Sequence, residues 1–482
     1  MANYQDIDIS EYSENPLIDA LPKFLNKKEV LSAILKPPAY FTEEREHDEL
    51  KRDIYTERLD SCIIPNNKFY KAYKKIYKLL LKSYQYRNPL KVTTKQLLNN
   101  TASNGIAAPY PEILKTIIAA SSFITGLSGM GKSYMIDNIL SLLFEQIINH
   151  ENYKGNNLNI KQLVYVKFNI PSDASRRTLC LNFFKSVDNI LGTKYESKNK
   201  NRNIPISDLE LNMKKVCLLH HIGIVIIDEL QNLSLAKSGG AQQIMAFFES
   251  LSNEIKVSLL FIGTYDTYDI YSRSFKTARR MAKEGTIDLE QPKEDDPVWN
   301  QLVDTLWKFQ WVPSPLPMTA DIKKVLYKRT QGITFCTVTL LKFANVQAIE
   351  EDEDSITEET INQAYKEEFK LFMPALDALR EKNYAAYDDL MPLAMRRMLN
   401  RKKQHVLSIS QDAKNEPEEN WDSDDITTSS PSRTSYCSAN SEGEKNGTID
   451  KIQRKKRLKE SAQEVYNRLE SSGFFITNLD SI

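Results

Sequence analysis

Residues 126–133 read Gly-Leu-Ser-Gly-Met-Gly-Lys-Ser, which is a complete G-x-x-x-x-G-K-S phosphate-binding loop. A short β-like run at 123–125 precedes it and a helical pattern at 134–143 follows, which is the context that this motif requires. In such loops, backbone N–H groups and the helix N-terminus surround phosphate oxygens. Lys132 is then placed to reach the β- and γ-phosphates of ATP, and Ser133 to hold Mg²⁺. We expect the following residues to contact the nucleotide: Gly126, Ser128, Gly129, Met130, Gly131, Lys132, Ser133 and Tyr134.

The length and composition of the chain set wide bounds. At 482 residues it is too long for one ordinary domain, and its 64 basic and 64 acidic residues balance, so any nucleic-acid contact must come from local patches. The five cysteines show no C-x-x-C spacing, which favours a reducing cytoplasm over a disulfide framework or a zinc site. Neither a signal-peptide pattern nor an apolar run of membrane-spanning length is found, so we expect a cytoplasmic protein without a membrane partner.

The segment 105–318 carries the pattern of an α/β core. Short apolar runs alternate with helical stretches, which predicts a mainly parallel sheet. We place strands near residues 121–125, 162–169, 222–228, 257–263 and 306–311. Five strands with a phosphate-binding loop after the first predict a P-loop nucleotide-binding domain.

Residues 1–104 precede this core as a predicted helical N-terminal extension that we expect to contact partners. Within it, residues 66–86 carry tyrosines and a leucine at spacings of three and four, with lysines between them. This helix could expose its lysines to nucleic acid. The pattern favours the alternative, a solvated amphipathic helix whose tyrosines pack on the core.

Three segments follow the core. Residues 319–404 show helical spacing interrupted at Gly332, which predicts a helical lid. Residues 405–450 are rich in Ser, Asp, Glu and Asn and poor in large apolar side chains, which is typical of a disordered linker. Residues 451–482 combine a basic run with the apolar sequence Gly-Phe-Phe-Ile at 473–476, which suggests a C-terminal docking tail.

A second nucleotide signal is the sequence Ile-Val-Ile-Ile-Asp-Glu at 224–229. Four apolar residues predict a buried strand, and its two carboxylates lie at the carboxyl end, where open α/β sheets bind ligands. Asp228 would hold Mg²⁺, directly or through water, and Glu229 would orient and deprotonate the attacking water. A helix-capping role for the two carboxylates is the structural alternative.

Further catalytic candidates lie near the ends of other elements. Thr264 follows the strand ending at 262–263 and could sense the γ-phosphate. Asn169 ends the second strand and could hydrogen-bond Glu229 so as to hold it idle. Arg279 and Arg280 lie on a predicted helix, where one could face the γ-phosphate of a neighbouring subunit or both could simply be exposed to solvent. The sequence carries no serine-hydrolase, zinc-protease, protein-kinase or deaminase motif.

The order of these motifs resembles the AAA+ ATPases. In detail the chain is more similar to the TnsC-type regulator ATPases of transposons that target a chromosomal attachment site. The similarity extends over stretches before, within and after the core: 15–22, 62–65, 87–89, 163–169, 180–196, 224–243, 272–280, 330–332 and 466–482.

This resemblance implies an ATP-dependent matchmaker in DNA transposition, which would be a prokaryotic, DNA-associated protein of the cytoplasm. Such proteins form ATP-bound rings or short spirals on duplex DNA, receive a signal from a target-selector protein and recruit the transposase, and ATP hydrolysis disassembles them. It also implies that one arginine of the 279–280 pair completes a neighbour's site, with Arg280 slightly favoured. A second sensor arginine, often found in the family's lid, has no counterpart in residues 333–337.

The resemblance further implies a DNA-contacting insertion, facing the ring pore, between the second strand and the Asp-Glu strand. We expect phosphate contacts from basic residues of that interval, Arg176, Arg177, Lys194, Lys198, Lys200 and Arg202. Such contacts are salt-sensitive and largely independent of base sequence. The alternative is a solvated basic loop.

Two other functions compete with this one. A replication initiator or helicase loader would share the ATPase core and carry a C-terminal winged-helix domain, which the composition of residues 405–482 does not favour. A non-enzymatic scaffold would tolerate a degenerate site, whereas Lys132, Ser133, Asp228 and Glu229 are all present.

Overall fold

The computed structural model describes residues 1–104, 120–235, 240–265, 267 and 282–381. The strands found there are β1 (Ser121–Gly126), β2 (Ile147–Tyr153), β3 (Asn156–Leu163), β4 (Tyr165–Asn169), β5 (Ile224–Asp228), β6 (Ser258–Ile262) and β7 (Thr286–Leu289). Five of them form one parallel sheet in the order β4-β5-β6-β1-β7, and β2 and β3 form an antiparallel hairpin. This is the predicted α/β P-loop fold of the AAA+ type.

Helices lie before the first strand, between strands and after the last strand in sequence. Before β1 lie α1 (Pro16–Asp19), α2 (Lys27–Ile34), α3 (Glu49–Thr56), α4 (Asn67–Gln85) and α5 (Val92–Asn104). Between strands lie α6 (Lys132–Leu143), α7 (Arg176–Leu191), α8 (Tyr195–Asn199), α9 (Ile206–Leu219) and α10 (Gly240–Ile255). After β7 come α11 (Pro297–Leu306), α12 (Ala320–Thr330), α13 (Thr334–Glu350), α14 (Glu358–Glu368) and α15 (Met373–Arg380).

The two faces of the sheet are covered by different parts of the chain. Because successive side chains of a strand point to opposite faces, Phe123 and Ile124 of β1 belong to two separate hydrophobic clusters. One cluster holds side chains of α7, α9 and α10. The other holds α6 together with α1, α2 and α4, so the N-terminal segment shares a core with the sheet.

Helix α4 packs as the sequence pattern favoured. Tyr73, Tyr77 and Tyr84 are buried, and the Tyr84 hydroxyl donates a hydrogen bond to the carbonyl oxygen of His221 at 3.0 Å. Lysines of the same helix lie on its opposite side, where Lys71 and Lys78 are exposed. The aromatic stripe therefore anchors the helix to the sheet.

Two predicted strands differ from the observed ones. The fifth strand was expected at 306–311 but is β7, since Leu306 ends α11 and the aromatic side chains after it pack into the lid core. The apolar pattern there reflects helix and loop packing, while β7 is only four residues long and lies at the sheet edge. The predicted strand 162–169 is divided at Val164 between β3 and β4.

The predicted lid region is described through residue 381 and holds helices α12, α13, α14 and α15. Helices α12 and α13 are separated by a break in which Gln331 and Gly332 have φ angles of 53° and 72°, so Gly332 marks the turn as expected. Residues 382–404, the predicted linker 405–450 and the tail 451–482 lie outside the described residues. Within the described ranges no single helix could span a membrane, and only the bent pair α12–α13 meets the length and composition test when counted together.

Candidate nucleotide-binding site

The glycine-rich loop of residues 126–133 joins β1 to α6. Its glycines have φ angles of 154° at Gly126, 78° at Gly129 and 78° at Gly131. At Gly126 a Cβ would lie 2.5 Å from the carbonyl oxygen of Leu289, so only glycine lets β1 and β7 approach this closely. The buried Lys132 ammonium donates hydrogen bonds to two carbonyl oxygens of the loop, at 2.8 and 3.0 Å.

The other predicted contact residues surround this loop. Ser128 is exposed at its tip, and Ser133 is partly buried in the first turn of α6. Met130 and the exposed Tyr134 line a cleft beside the loop. The Ser133 hydroxyl and the first backbone N–H groups of α6 thus lie at a helix N-terminus, where anions are bound favourably.

This cleft lies between three parts of the chain: the phosphate loop with the start of α6, the N-terminal segment and the lid side. The N-terminal segment contributes Cys62, Ile63, Ile64, Pro65, Asn66, Lys68 and Phe69. The lid side contributes Trp299, Leu302, Gly332, Thr334 and Val338. The lining is mainly apolar and adjoins the phosphate loop, which suits a flat heteroaromatic base next to phosphates. The sequence pattern did not identify these residues as site residues, although 62–65 belongs to the resemblance.

The lid touches the phosphate loop directly. The backbone N–H of Phe335, in the first turn of α13, donates a hydrogen bond to the carbonyl oxygen of Gly129 at 3.0 Å. A Cβ on Gly129 would lie 2.8 Å from Cγ2 of Ile333. Arg329 of α12 instead hydrogen-bonds Asn362 inside the lid, at 2.8 Å. The lid position is therefore linked to the loop through backbone contacts.

The carboxylate pair lies at the carboxyl end of β5. Asp228 is buried, and its Oδ1 accepts a hydrogen bond from the backbone N–H of Glu229 at 2.8 Å. Glu229 has a φ of 58°, a left-handed conformation that costs a non-glycine residue about 1–3 kcal/mol. Burial, followed by the charge of Asp228, raises the pKa of the Glu229 carboxyl, and the nearby Lys132 ammonium lowers it. The charge of Lys132 thus acts on the Glu229 carboxyl.

The side chain that hydrogen-bonds Glu229 is Gln231. Its Nε2 donates to the Glu229 carboxylate, and its Oε1 accepts from the backbone N–H of Thr264 at 3.2 Å. Asn169, a candidate for this bond from its place in the sequence, ends β4 opposite Asp228 in the sheet register. The link between the carboxylate and the neighbouring strand end therefore comes from Gln231 rather than Asn169.

Thr264 lies where the sensor prediction places it, just after β6. Its side chain is buried, and among the residues that the structure describes its Oγ1 has no hydrogen-bond partner. A buried hydroxyl without a partner is unfavourable by itself and available to a ligand oxygen or a water. Its backbone carbonyl is held by Thr267, whose N–H and hydroxyl donate to it at 3.1 and 2.8 Å.

The donor set fits a hard divalent cation. Oxygen ligands are those that Mg²⁺ prefers. Asp228 is a buried carboxylate at the sheet edge where the phosphate loop also lies, and Ser133 of that loop offers a hydroxyl. A residue that the sequence analysis missed also reaches this carboxylate: Lys167 of β4 places its ammonium 3.1 Å from Oδ2 of Asp228. It also lies 2.7 Å from Asp137 of α6.

The remaining predicted residues fall into two groups. Arg279 and Arg280 lie outside the described residues. Among the predicted DNA contacts, Arg176 pairs with Glu210 at 3.1 Å, and Arg177 donates hydrogen bonds to backbone carbonyls of the 201–204 turn. Four others are exposed in and around α8, namely Lys194, Lys198, Lys200 and Arg202. The last four thus form an accessible basic surface, whereas Arg177 braces the adjacent turn.

Comparison with known proteins agrees with this fold. Residues 119–271 match the family model of the AAA domain. A search of curated proteins finds no match. The matched part runs from before β1 to beyond β6 and includes the phosphate-binding loop and the Asp228–Glu229 pair.

Solved structures are similar at low sequence identity. The Aeropyrum pernix ORC2 protein in ADPNP–ADP complexes is 12% identical, with a TM-score of 0.36, and 57% of this chain covers 65% of that one. For the A. pernix ORC1 protein in complex with DNA, the identity is 16%, the coverage 60% and 68%, and the TM-score 0.36. For the Thermotoga maritima RuvB Holliday-junction motor the values are 11%, 61% and 68%, and 0.29. The chain spans less than two thirds of the length of the ORC2 structure.

Proposed function

We propose that this protein is an ATP-dependent regulator of DNA transposition. It would assemble on duplex DNA with ATP bound, link a target-selector protein to the transposase, and disassemble when ATP is hydrolysed. The observation that carries the ATPase part is that the phosphate-binding loop follows β1, and the Asp228–Glu229 pair ends β5, at the same carboxyl edge of one parallel sheet. The transposition part is supported by the sequence resemblance, which covers stretches before, within and after the AAA domain.

Each residue of the site has a chemical role in this proposal. The N–H groups of the glycine-rich loop and the Lys132 ammonium bind the phosphates and neutralise their charge. Ser133 and Asp228 would hold Mg²⁺, which supplies further charge neutralisation on the phosphate oxygens. Glu229 accepts the proton of the water that attacks the γ-phosphorus, while the bond from that phosphorus to the bridging oxygen breaks. Thr264 offers its hydroxyl to the same water or to a γ-phosphate oxygen.

In this proposal subunits assemble because each nucleotide site needs a residue from the neighbouring subunit. An arginine of the 279–280 pair would reach a neighbour's γ-phosphate, so subunits would bind each other more strongly with ATP than with ADP. The exposed basic surface around α8 would contact DNA phosphates without reading bases, and its affinity would fall as salt rises. The tail 451–482 would bind a transposase subunit.

The proposal is tested by a pair of variants with opposite effects. Lys132→Ala removes the phosphate-binding ammonium and should abolish both ATP binding and ATP-dependent assembly on DNA. Glu229→Gln keeps the size of the side chain but not the base, so it should bind ATP, hydrolyse it at least about 100-fold more slowly and remain on DNA. Calorimetry, phosphate release and negative-stain imaging on duplex DNA measure the three properties.

The outcomes separate the parts of the proposal. Normal ATP-dependent assembly by Lys132→Ala would contradict the assignment of the phosphate loop. Rapid turnover by Glu229→Gln would mean that another group orients the water. A pull-down in which deletion of 451–482 leaves transposase binding unchanged would remove the role of the tail. A protein that hydrolyses ATP but loads a replicative helicase, and does not bind transposase, would favour the initiator or loader function.

A further inference from the structure

Lys167 makes an unusual contact for a residue next to a cation site. Its ammonium lies 3.1 Å from Oδ2 of Asp228 and 2.7 Å from Oδ1 of Asp137, so it joins the carboxyl end of β5 to helix α6. Its side chain is only 19% exposed, while that of Asp228 is 6% exposed. The pair is therefore well shielded from solvent, where a charge contact is stronger than at the surface.

The position of Asp137 relates this bridge to the phosphate loop. Asp137 lies four residues after Ser133 on α6, and residues four apart lie on the same face of a helix. The Lys167 ammonium thus contacts the carboxylate that would hold Mg²⁺ and another that is one helical turn from the serine that would hold it. Asp228 and Ser133 would hold the cation, so this ammonium would stand next to one of its ligands.

We propose that Lys167 makes divalent-cation binding at Asp228 depend on the nucleotide. This inference rests on the proposed role of Asp228 as a magnesium ligand. The fixed positive charge of Lys167 repels a free divalent cation from the carboxylate, whereas the negative charge of a triphosphate offsets that repulsion. The Asp137 carboxylate holds the ammonium in place and partly offsets its positive charge. The cation then enters together with ATP, and the site does not bind free Mg²⁺ tightly.

The contact also bears on Glu229. The charge of Lys167 is among those that lower the pKa of this carboxyl, against the larger effect of burial that raises it. A cation and the lysine therefore act on the same two carboxylates, Asp228 and Glu229. Lys167 is a positioning residue in this scheme, since it acts through the carboxylates and not on the substrate.

Mn²⁺ binding tests the proposal without any need for hydrolysis. The free Mn²⁺ concentration is followed by electron paramagnetic resonance during titration of the whole chain, first without nucleotide and then with a non-hydrolysable ATP analogue. Lys167→Met removes the charge and keeps the length of the side chain. We expect it to bind Mn²⁺ at least about tenfold more tightly than wild type without nucleotide, and to differ much less with the analogue.

Three further variants control this result. Lys167→Arg keeps the charge and should bind Mn²⁺ as wild type does. Asp137→Asn should weaken Mn²⁺ binding in the wild-type background and have a much smaller effect in the Lys167→Met background, because Asp137 acts mainly through the lysine. Asp228→Asn should abolish the nucleotide-free binding in every background. Unchanged near-ultraviolet circular dichroism checks the fold of each variant.

Two results would overturn the proposal, and they differ. If Asp228→Asn abolishes Mn²⁺ binding but Lys167→Met binds it no more tightly than wild type, Lys167 does not gate the site although Asp228 is a ligand. If Asp228→Asn leaves Mn²⁺ binding unchanged, the magnesium assignment itself fails, and the role of Lys167 fails with it. Neither result depends on whether the protein acts in transposition.

Discussion

Two glycines of the phosphate loop form a matched pair that tests the contact between the loop and the lid. Gly129 and Gly131 have the same φ of 78°. A Cβ at Gly129 would lie 2.8 Å from Cγ2 of Ile333 and 3.4 Å from Cβ of Phe335. A Cβ at Gly131 would meet no atom of the described residues within 4 Å. Alanine at either position therefore meets the same left-handed φ, and only Gly129→Ala adds a clash with the lid.

The magnitudes follow from these two terms. An alanine in the left-handed region costs about 1–2 kcal/mol, and this term is common to both variants. Forcing a methyl group into a packed contact costs about 1–3 kcal/mol more. Gly129→Ala should therefore be less stable than Gly131→Ala by about 2 kcal/mol, which lowers the melting temperature by about 4–8 °C in a domain of this size.

Differential scanning calorimetry without nucleotide measures this difference, because either methyl group would also disturb phosphate binding. Ile333→Ala removes the atom that the new methyl group would meet, so the double variant with Gly129→Ala should lose less stability than the sum of the single variants. Equal melting temperatures for the two glycine variants would refute the close contact. A strictly additive double variant would refute the part assigned to Ile333.

Three more predictions follow from the site and its supports. Gln231→Leu removes a hydrogen bond that lowers the pKa of Glu229, so this pKa should rise further and the acidic limb of the pH profile of kcat should move to higher pH. An acidic limb that does not move would show that Gln231 does not act on the base. Trp311→Phe removes the 2.9 Å hydrogen bond that Nε1 of Trp311 donates to the buried Glu44 carboxylate. The free energy of unfolding in urea should fall by about 2–4 kcal/mol, and a decrease below about 1 kcal/mol would contradict the importance of this contact. A mixture of the Arg280→Ala and Lys132→Ala variants should regain ATPase activity, because the Arg280→Ala subunit supplies an intact pocket and the Lys132→Ala subunit supplies the arginine. No recovery of activity at any mixing ratio would argue against an arginine acting in trans.

Local motifs explain how much of the site could be predicted. The phosphate loop and the Asp228–Glu229 pair each lie at a strand end within a few residues, so their spacing alone indicates their place at the carboxyl edge of a parallel sheet. Gln231 carried a weaker signal, since it is close to Glu229 in sequence but becomes a partner only through the left-handed turn at Glu229. Lys167 carried none, because its contact depends on the register of β4 against β5.

The cleft beside the loop could not be derived from spacing. Cys62 and Trp299 both line the cleft although they lie 237 positions apart in the sequence. Only the packing of the N-terminal segment against both the sheet and the lid brings them together. The Tyr40 hydroxyl, for example, donates a hydrogen bond to the carbonyl oxygen of Gln310 at 2.8 Å.

The errors in the strand assignment have local causes. The hairpin β2–β3 was missed although Lys154 and Gly155, with φ angles of 49° and 81°, form the kind of tight turn that two-residue hairpins use. Strand β7 is short and pairs on one side only within the described sheet, so its apolar pattern is weak. The aromatic run 307–311 gave the stronger signal because its side chains fill the lid core.

The central claim is that a triphosphate in this pocket controls whether subunits stay together on DNA. Sedimentation velocity of the whole chain with a short DNA duplex and Mg²⁺ tests it directly, with a slowly hydrolysed ATP analogue, with ADP and without nucleotide. The account predicts large DNA-bound assemblies with the analogue only, and none for Lys132→Ala under any condition. A wild-type protein that sediments as a monomer in all three conditions, or that assembles equally in all three, would contradict it.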